Sequence, residues 1–154
     1  MRKVLVTGAS GFIAEHCIIE LLKNNYSVKG SLRSMNREQE VREAIKTEID
    51  DANLEFCKLD LLKDDGWEDA MQDCEFLMHV ASPFVIEDPK DENELIKPAK
   101  EGTLRALNAA KKAGIKRVVI TSSVAAINSH MMSGKCDHNT CLLYTSPSPR
   151  DSAL

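Results

Sequence analysis

The chain has 154 residues, the length of a single folding domain, with 43% hydrophobic and 29% charged residues as in an ordinary globular protein. Its net charge of −4 offers no basic surface for nucleic acid, and no apolar run approaches the roughly 18 residues that a bilayer span requires. The five cysteines are odd in number and scattered, which favours reduced thiols in a cytoplasmic protein over a disulfide framework.

The first third of the chain predicts a strand, a helix and a second strand. The run KVLVT at residues 3–7 is short and β-branched, as in a strand that is covered on both faces. Residues 12–25 have helical spacing, and Asn24 and Asn25 fit a left-handed terminator. The apolar stripe predicted for this helix consists of Ile13, Cys17 and Leu21. The second strand is predicted at residues 26–32.

The middle third of the chain continues the alternation. Residues 36–50 predict a surface helix that begins with a capping box of Asn36 and Gln39. Its predicted buried stripe consists of Val41, Ala44, Ile45 and Ile49. Three elements follow: a strand at residues 54–59, a short helix that starts at Asp65, and a strand at residues 76–81.

The last predicted elements are the longest helix, at residues 89–113, and a fifth strand at residues 116–121. Pro98 is expected to bend this helix or to mark a late start, and Gly114 to end it. Its predicted inward residues are Leu95, Ala99, Ala106, Leu107 and Ala110. Repeated strand–helix units with short connections are typical of a parallel sheet with right-handed crossovers. We therefore predict an α/β fold, a doubly wound parallel sheet of five strands in the order 3-2-1-4-5.

Ligands of such sheets bind where the strand order reverses, which here lies between strands 1 and 4. The sequence after strand 1 is GASGFIA, a G-x-x-G-x-x-A pattern at residues 8–14. Gly8 would allow a tight turn, Gly11 would let the backbone approach a pyrophosphate, and Ala14 would allow close helix packing. Helix amides and the helix dipole would then hold the anion. A plain turn is the alternative, but the position between strand and helix favours dinucleotide binding by Gly8, Ser10, Gly11, Phe12 and Ile13.

The end of strand 2 bears on which dinucleotide would bind. NAD-binding proteins usually place an acid there for the ribose 2′-hydroxyl, whereas this chain has SLRS at residues 31–34, with Arg37 just beyond. A guanidinium contact to a 2′-phosphate is worth about 1.5–3 kcal/mol, or a ten- to hundredfold preference for NADP. The alternative is that Arg33 is a solvated surface charge. We predict NADP as the cofactor, with Arg33 ahead of Arg37 as its phosphate ligand.

Several segments resemble the extended short-chain dehydrogenase/reductases, the NAD-dependent epimerase/dehydratase superfamily. Within it the chain looks like the branch of dihydroflavonol, cinnamoyl-CoA and aldehyde reductases. The matching segments are VTGASGFIA (6–14), LRS (32–34), KLDL (58–61), HVASP (79–83), ENELIKPAKEGTLRALNAA (92–110) and RVVITSSVAAI (117–127). The resemblance implies a Rossmann fold and the reduction of a small-molecule carbonyl to an alcohol by hydride transfer from NADPH.

The resemblance also implies roles for individual residues. Asp60 would accept a hydrogen bond from the adenine amino group, and Ser123 would hydrogen-bond the substrate's carbonyl or carbinol oxygen as a catalytic residue. His79 is interpreted as a packed strand residue. The further cofactor-lining residues implied in this way are Leu61, Val80, Ala81, Ser82, Pro83, Thr121 and Ser122.

The proton donor of this family is the tyrosine of a Tyr-x-x-x-Lys pair, and that pair is absent. The tyrosines are Tyr26 and Tyr144, and no lysine follows Lys135. We therefore expect an inactive N-terminal fragment whose incomplete NADP-binding domain spans residues 1–128. Residues 129–140 are predicted to be a disordered remnant of the segment that leads to the catalytic helix.

Residues 141–154 begin with CLLYTSPSPRD, which resembles a translated sequencing-library adapter and predicts a non-native read-through tail. A natural flexible Ser/Pro tail is the alternative. Cys136, His138 and Cys141 do not match zinc-ligand spacing, so no metal site is predicted. Strand 5 would be an open apolar edge at which the chain could self-associate.

Three other functions stay open. A 3β-hydroxysteroid-type dehydrogenase or a nucleotide-sugar epimerase/dehydratase could use the same scaffold, although Arg33 and the HVASP segment argue against the epimerase. A non-catalytic NADP-binding sensor or scaffold is the third.

Overall fold

The computed structural model describes residues 1–83, 91 and 93–123. The chain divides into two compact units, Met1–Ile120 and Thr121–Leu154. The start predicted for the long helix at residue 89, the segment 129–140 and the tail 141–154 lie outside the described residues. Among the described residues, none of the helices combines the length and the hydrophobicity of a membrane-spanning segment.

Five parallel strands form a single sheet in the order β3-β2-β1-β4-β5, which confirms the predicted topology. The strands are β1 Lys3–Thr7, β2 Ser27–Leu32, β3 Leu54–Lys58, β4 Phe76–His79 and β5 Arg117–Ile120. Each lies within two residues of its predicted bounds. β1 and β4 are neighbours, with Thr7 opposite His79 at their carboxyl ends. The point at which the strand order reverses is therefore the gap between these two strand ends.

Four helices connect the strands: α1 Phe12–Lys23, α2 Glu38–Lys46, α3 Trp67–Met71 and α4 Asn93–Ala113. Of the two left-handed terminators predicted for α1, Asn25 has φ 60°, whereas Asn24 has φ −93° and is not left-handed. Gly114, which was predicted to end α4, has φ 71°. The capping box predicted for α2 is wrong. Residues Met35–Arg37 form a 3₁₀ turn, and α2 begins only at Glu38 with no side-chain cap. Asn36 lies inside that turn and not at the helix N-cap.

The inward face of α1 differs from the predicted stripe. Its buried residues are Ala14, Ile18, Ile19 and Leu22. Ile13 is 57% exposed instead, and with Cys17 and Leu21 it lines an open apolar groove. Ala14 explains the rotation, because the face that carries the smallest side chain allows the closest approach of helix to sheet. In α4, Ala106 and Ala110 are buried as predicted, whereas Leu107 is 37% exposed.

The sheet separates two apolar layers, as alternating strand side chains require. Val4 and Val6 in β1 pack with α1 and α2 on one face. Leu5, which points the other way, packs with Leu77, α3 and α4 on the opposite face. This double coverage explains why β1 reads as a continuous apolar run, and it holds β1 and β4 rigidly at the centre of the sheet.

At Gly30 in β2, the turn after β1 lies very close to the sheet, on the face covered by α1. A Cβ built at this position would lie 2.9 Å from the Cβ of Ala9 and 3.0 Å from the ring of Phe56. Both neighbours are packed against the core, so they have little room to move. The turn after β1 can therefore approach β2 only because residue 30 has no side chain.

We predict that Gly30→Ala lowers the free energy of unfolding by about 1–3 kcal/mol, because it forces a methyl group into occupied space. Urea titration followed by circular dichroism measures this change. Lys111→Ala on the exposed side of α4 is the control and should stay within about 0.5 kcal/mol of the parent chain. Equal stability of the two variants would contradict the packing described for Gly30.

The described cysteines, Cys17, Cys57 and Cys74, are free thiols, in agreement with the predicted reduced state. Burial raises the pKa of the Cys57 thiol from 9.0 to about 11. We therefore expect the alkylation rate of Cys57 by iodoacetamide to keep rising through pH 10 in the folded chain, since the thiolate is the nucleophile. In the urea-unfolded chain the rate should level off just above the ordinary thiol pKa of about 8.5. Site-resolved mass spectrometry measures both profiles, and identical plateaus would contradict the burial of Cys57.

Candidate functional site

A cleft of about 500 Å³ opens at the carboxyl ends of the central strands. We call it the switch-point cleft. It brings together eight of the residues predicted from the sequence: Gly8, Ser10, Arg33, Asp60, Leu61, Ala81, Ser82 and Pro83. These residues come from the segments that follow β1, β2, β3 and β4. The topology therefore gathers them in the place where ligands of doubly wound sheets bind.

The turn after β1 is built around Gly8, which has φ 74°. Its N–H donates to Ser31 Oγ at 3.3 Å, and its carbonyl accepts from the Gly11 N–H at 2.9 Å. A Cβ at Gly8 would lie 3.1 Å from the Cα of Ala81. Glycine is thus required here twice, by the left-handed backbone and by the segment after β4 that lies against it.

Gly11 is the residue before α1 and has φ −98° and ψ 146°, a conformation that any residue adopts. A Cβ there would have only the carbonyl oxygen of Gly8 nearby, at 3.3 Å. No side chain caps the N-terminus of α1, so the first amides of this helix have no intrahelical acceptor. The bare backbone at Gly11 and these amides fit an anionic group that approaches the helix along its dipole.

Phe12 and Ile13, although predicted as site residues, do not line the switch-point cleft. Phe12 is 76% exposed, and both side chains line the apolar groove on α1. Ser10, by contrast, lines the switch-point cleft. The sequence alone did not distinguish Ser10 from Phe12 and Ile13. The helix begins after Ser10, and successive side chains of a helix point in different directions.

The two arginines after β2 have different surroundings. Arg33 lines the switch-point cleft, is exposed, and makes no ion pair with any other described residue. Arg37 donates two hydrogen bonds to Glu40, at 2.9 and 2.7 Å, which raises the pKa of Arg37 and lowers that of Glu40. Arg37 does not line the cleft. Of the two guanidinium groups, only that of Arg33 is therefore available to an anion in the cleft.

The loop after β3 forms another side of the cleft. Asp60 Oδ1 accepts from the Leu62 N–H at 3.0 Å, which closes a tight turn. Leu61 lies against α4, where a Cβ on Gly102 would meet it at 3.0 Å. Arg105 of α4 donates to the Leu61 carbonyl at 2.9 Å and also bonds Asp64. The position of Asp60 and Leu61 is thus set by α4, about 40 residues further along the chain.

Thr7, which lines the cleft, joins the ends of β1 and β4. Its Oγ1 lies 2.9 Å from His79 Nδ1 and accepts from the N–H groups of Val80 and Ala81, both at 3.0 Å. Thr7 is 1% exposed and His79 is 2% exposed. Burial lowers the pKa of His79, so the imidazole is neutral at physiological pH. The Thr7 hydroxyl group therefore binds the first two backbone N–H groups of the segment that carries Ala81, Ser82 and Pro83.

Several cleft-lining residues were not predicted from the sequence. They are Thr7, Ser31, Leu59, Leu62, Trp67, Glu94, Leu95 and Pro98. Thr7 and Ser31 could have been suspected as the last polar residues of strands that end at the cleft. The residues from α4 gave no such signal, because they reach the cleft only through the packing of α4 on the sheet.

Of the remaining predicted site residues in the first compact unit, five do not line the cleft: Gly11, Phe12, Ile13, Arg37 and Val80. The N–H of Val80 is bound to Thr7. Thr121, Ser122 and Ser123 follow β5 in the chain, are exposed, and belong to the second compact unit. No group of three metal-ligating side chains occurs among the residues that the structure describes, and Cys136, His138 and Cys141 lie outside them.

We predict that Gly8→Ala lowers the free energy of unfolding by at least about 1 kcal/mol, because the alanine must adopt a left-handed backbone against Ala81. Gly11→Ala is the matched control and should change stability much less, since its backbone is in the ordinary extended region. Urea unfolding of both variants measures the difference. A larger loss for Gly11→Ala would contradict the roles assigned to the two glycines.

Comparison with known proteins places this site in a family. A family model described as the NAD dependent epimerase/dehydratase family matches residues 4–142. Cinnamoyl-CoA reductase CAD2 of Medicago truncatula is 40% identical over 125 residues, which cover 80% of this chain and 38% of the relative. A bifunctional dihydroflavonol 4-reductase/flavanone 4-reductase of Malus domestica is 35% identical over 128 residues, which cover 82% and 37%.

A solved structure is similar as well. Yeast methylglyoxal/isovaleraldehyde reductase Gre2, complexed with NADPH, superposes with a TM-score of 0.72 at 34% identity, over 81% of this chain and 38% of that protein. The chain spans less than two-fifths of the length of each of these three relatives. Its strand order, its glycine turn and the family match agree, and the chain belongs to the NAD dependent epimerase/dehydratase family.

Proposed function

We propose that this chain is the NADPH-binding portion of a reductase that converts a small-molecule carbonyl to an alcohol. The observation that carries the proposal is the guanidinium of Arg33 in the switch-point cleft, beside the Gly8 turn and without an ion-pair partner among the described residues. A 2′-phosphate is the group that distinguishes NADP from NAD, and an arginine after the second strand is where such proteins bind it.

The electrostatics of the cleft support this choice of cofactor. An NAD-binding site would present a carboxylate to the ribose 2′-hydroxyl, but the residues after β2 are Leu32, Arg33 and Ser34. Arg33 can form a planar, two-pronged contact with a phosphate, which a lysine cannot. Its exposure leaves the guanidinium accessible, since no neighbouring carboxylate competes for it in the described part of the chain.

The relatives support the reaction class. Those named above are reductases, and the yeast reductase structure holds NADPH. Their names cover different carbonyl compounds, so the proposal extends to the class of substrate and not to one compound. The chain spans less than two-fifths of each of them, so the complete activity is proposed for the protein of which this sequence forms the matching portion.

Each residue has a defined task in the proposed reaction. Bound NADPH would supply the hydride. Gly8 and Gly11 would admit the pyrophosphate to the α1 amides, and Arg33 would bind the 2′-phosphate. Asp60 would accept from the adenine amino group, while Leu61, Ala81, Ser82 and Pro83 would exclude water from the cofactor. Thr121 and Ser122 would contact the nicotinamide ribose, and Ser123 would hydrogen-bond the substrate oxygen as the carbonyl gains negative charge.

We predict that Arg33→Ala weakens NADPH binding by about ten- to hundredfold, because one charge-assisted contact worth about 1.5–3 kcal/mol is lost. NADH binding should change little, since NADH has no 2′-phosphate. Isothermal titration calorimetry of both dinucleotides with the parent and the variant measures the effect.

Arg37→Ala is the matched control. It removes an arginine four residues away that is engaged with Glu40, so NADPH affinity should stay within a factor of about three. If the parent chain bound NADPH and NADH equally well, or if Arg37→Ala had the larger effect, the assignment of Arg33 would be wrong.

A further inference from the structure

The Thr7 hydroxyl lies next to two backbone N–H groups and one histidine nitrogen. Which of these are donors determines where the hydroxyl hydrogen points. Its Oγ1 accepts from the N–H groups of Val80 and Ala81, and lies 2.9 Å from His79 Nδ1. A threonine hydroxyl has two lone pairs and one hydrogen. Because two amides occupy the lone pairs, the hydrogen can only be donated to His79, and Nδ1 must accept it.

The same hydrogen bond determines the tautomer of the His79 imidazole. A histidine nitrogen that accepts carries no hydrogen, so a neutral His79 is protonated on Nε2. Burial favours the neutral form, since it lowers the pKa of this group. Among the described side chains, Thr7 contacts His79 at Nδ1, and the indole ring of Trp67 has its centroid 6.3 Å from that of the imidazole. Neither titrates near neutral pH, and the described residues contribute burial alone to the shift.

We propose that His79 is a positioning residue of the cofactor cleft and acts through Thr7. By accepting the hydroxyl hydrogen at Nδ1, His79 turns both lone pairs of Thr7 towards the segment after β4. That segment then leaves the sheet ladder at Val80 and lies against Gly8. This inference rests on the proposed function, since the ligand that benefits from the position of the segment is the dinucleotide.

The geometry of the cleft distinguishes this role from direct contact. His79 is 2% exposed and does not line the switch-point cleft, whereas Ala81, Ser82 and Pro83 do. The segment after β4 has little room to move towards the Gly8 turn, because a methyl group placed on Gly8 would already lie 3.1 Å from Ala81. Without His79 Nδ1 as acceptor, the Thr7 hydroxyl hydrogen could rotate towards the N–H groups of Val80 and Ala81, and Oγ1 would then accept less well from both. The segment after β4 could then shift relative to the Gly8 turn.

A pair of variants of similar size tests the proposal. His79→Asn keeps a hydrogen-bond acceptor near the position of Nδ1, whereas His79→Leu removes it. We expect His79→Leu to weaken NADPH and NADH binding by the same factor, roughly tenfold for one lost hydrogen bond. His79→Asn should stay within a factor of about three. An equal loss for both dinucleotides separates this effect from that of Arg33, which acts on NADPH alone.

Two measurements do not depend on cofactor binding. In ¹⁵N-labelled parent chain, long-range ¹H–¹⁵N spectra should show His79 protonated on Nε2 and unprotonated on Nδ1, with the His79→Asn spectrum assigning the signal among the four histidines. Hydrogen exchange at the Val80 and Ala81 amides should be faster in His79→Leu than in His79→Asn, relative to the core amide of Leu5.

The outcomes are distinct. A proton on Nδ1, or equal amide exchange in the two variants, would overturn the inference, and so would unchanged dinucleotide binding in a folded His79→Leu chain. If the parent chain bound neither dinucleotide, the proposed function would fail, and the tautomer and exchange results would still decide the role of His79. If His79→Leu did not fold, the tautomer in the parent chain would decide it alone.

Discussion

The contact between the turn after β1 and the segment after β4 is the constraint on which the rest of the site depends. Gly8 and Ala81 approach so closely that a single additional methyl group would crowd both backbones. Thr7 fixes this approach by accepting the first two amides beyond β4. Because Gly8, Ala81, Ser82 and Pro83 all line the switch-point cleft, the way these two segments meet sets one side of its shape.

The close approach is possible because small residues recur where elements cross. Gly30 lets β2 lie against Ala9, and Gly102 lets α4 lie against Leu61. Ala14 brings α1 onto the sheet in the same way, with no exposed surface of its own. Well-packed interiors tolerate little added volume. The small residues at these positions therefore allow the helices and loops beside the cleft to pack closely against the sheet.

Among the described residues, Arg33 differs from three other arginines of this domain in having no carboxylate partner. Arg37 is bound to Glu40, Arg42 to Asp51 and Glu38, and Arg105 to Asp64. These pairs hold helices and loops in place, and the partner carboxylates satisfy the guanidinium groups. Arg33 has no such partner among the described residues and faces the cleft. This exposed guanidinium is the feature on which the proposed binding of a 2′-phosphate rests.

The sequence by itself determined the class of the fold, the strand order and most of the loops that line the switch-point cleft. Alternating strands and helices with short right-handed connections leave few topologies, and glycines after a buried strand mark a phosphate turn in that context. The tertiary structure alone decided which face of α1 turns inward, which of Arg33 and Arg37 pairs with a described carboxylate, and that Thr7 binds His79. Those outcomes depend on side chains that are up to 72 positions apart in the chain. The local sequence pattern shows whether a segment forms a helix or a strand. The rotation of a helix about its axis, and the partner that a polar group binds, depend instead on packing and hydrogen bonding across the assembled sheet.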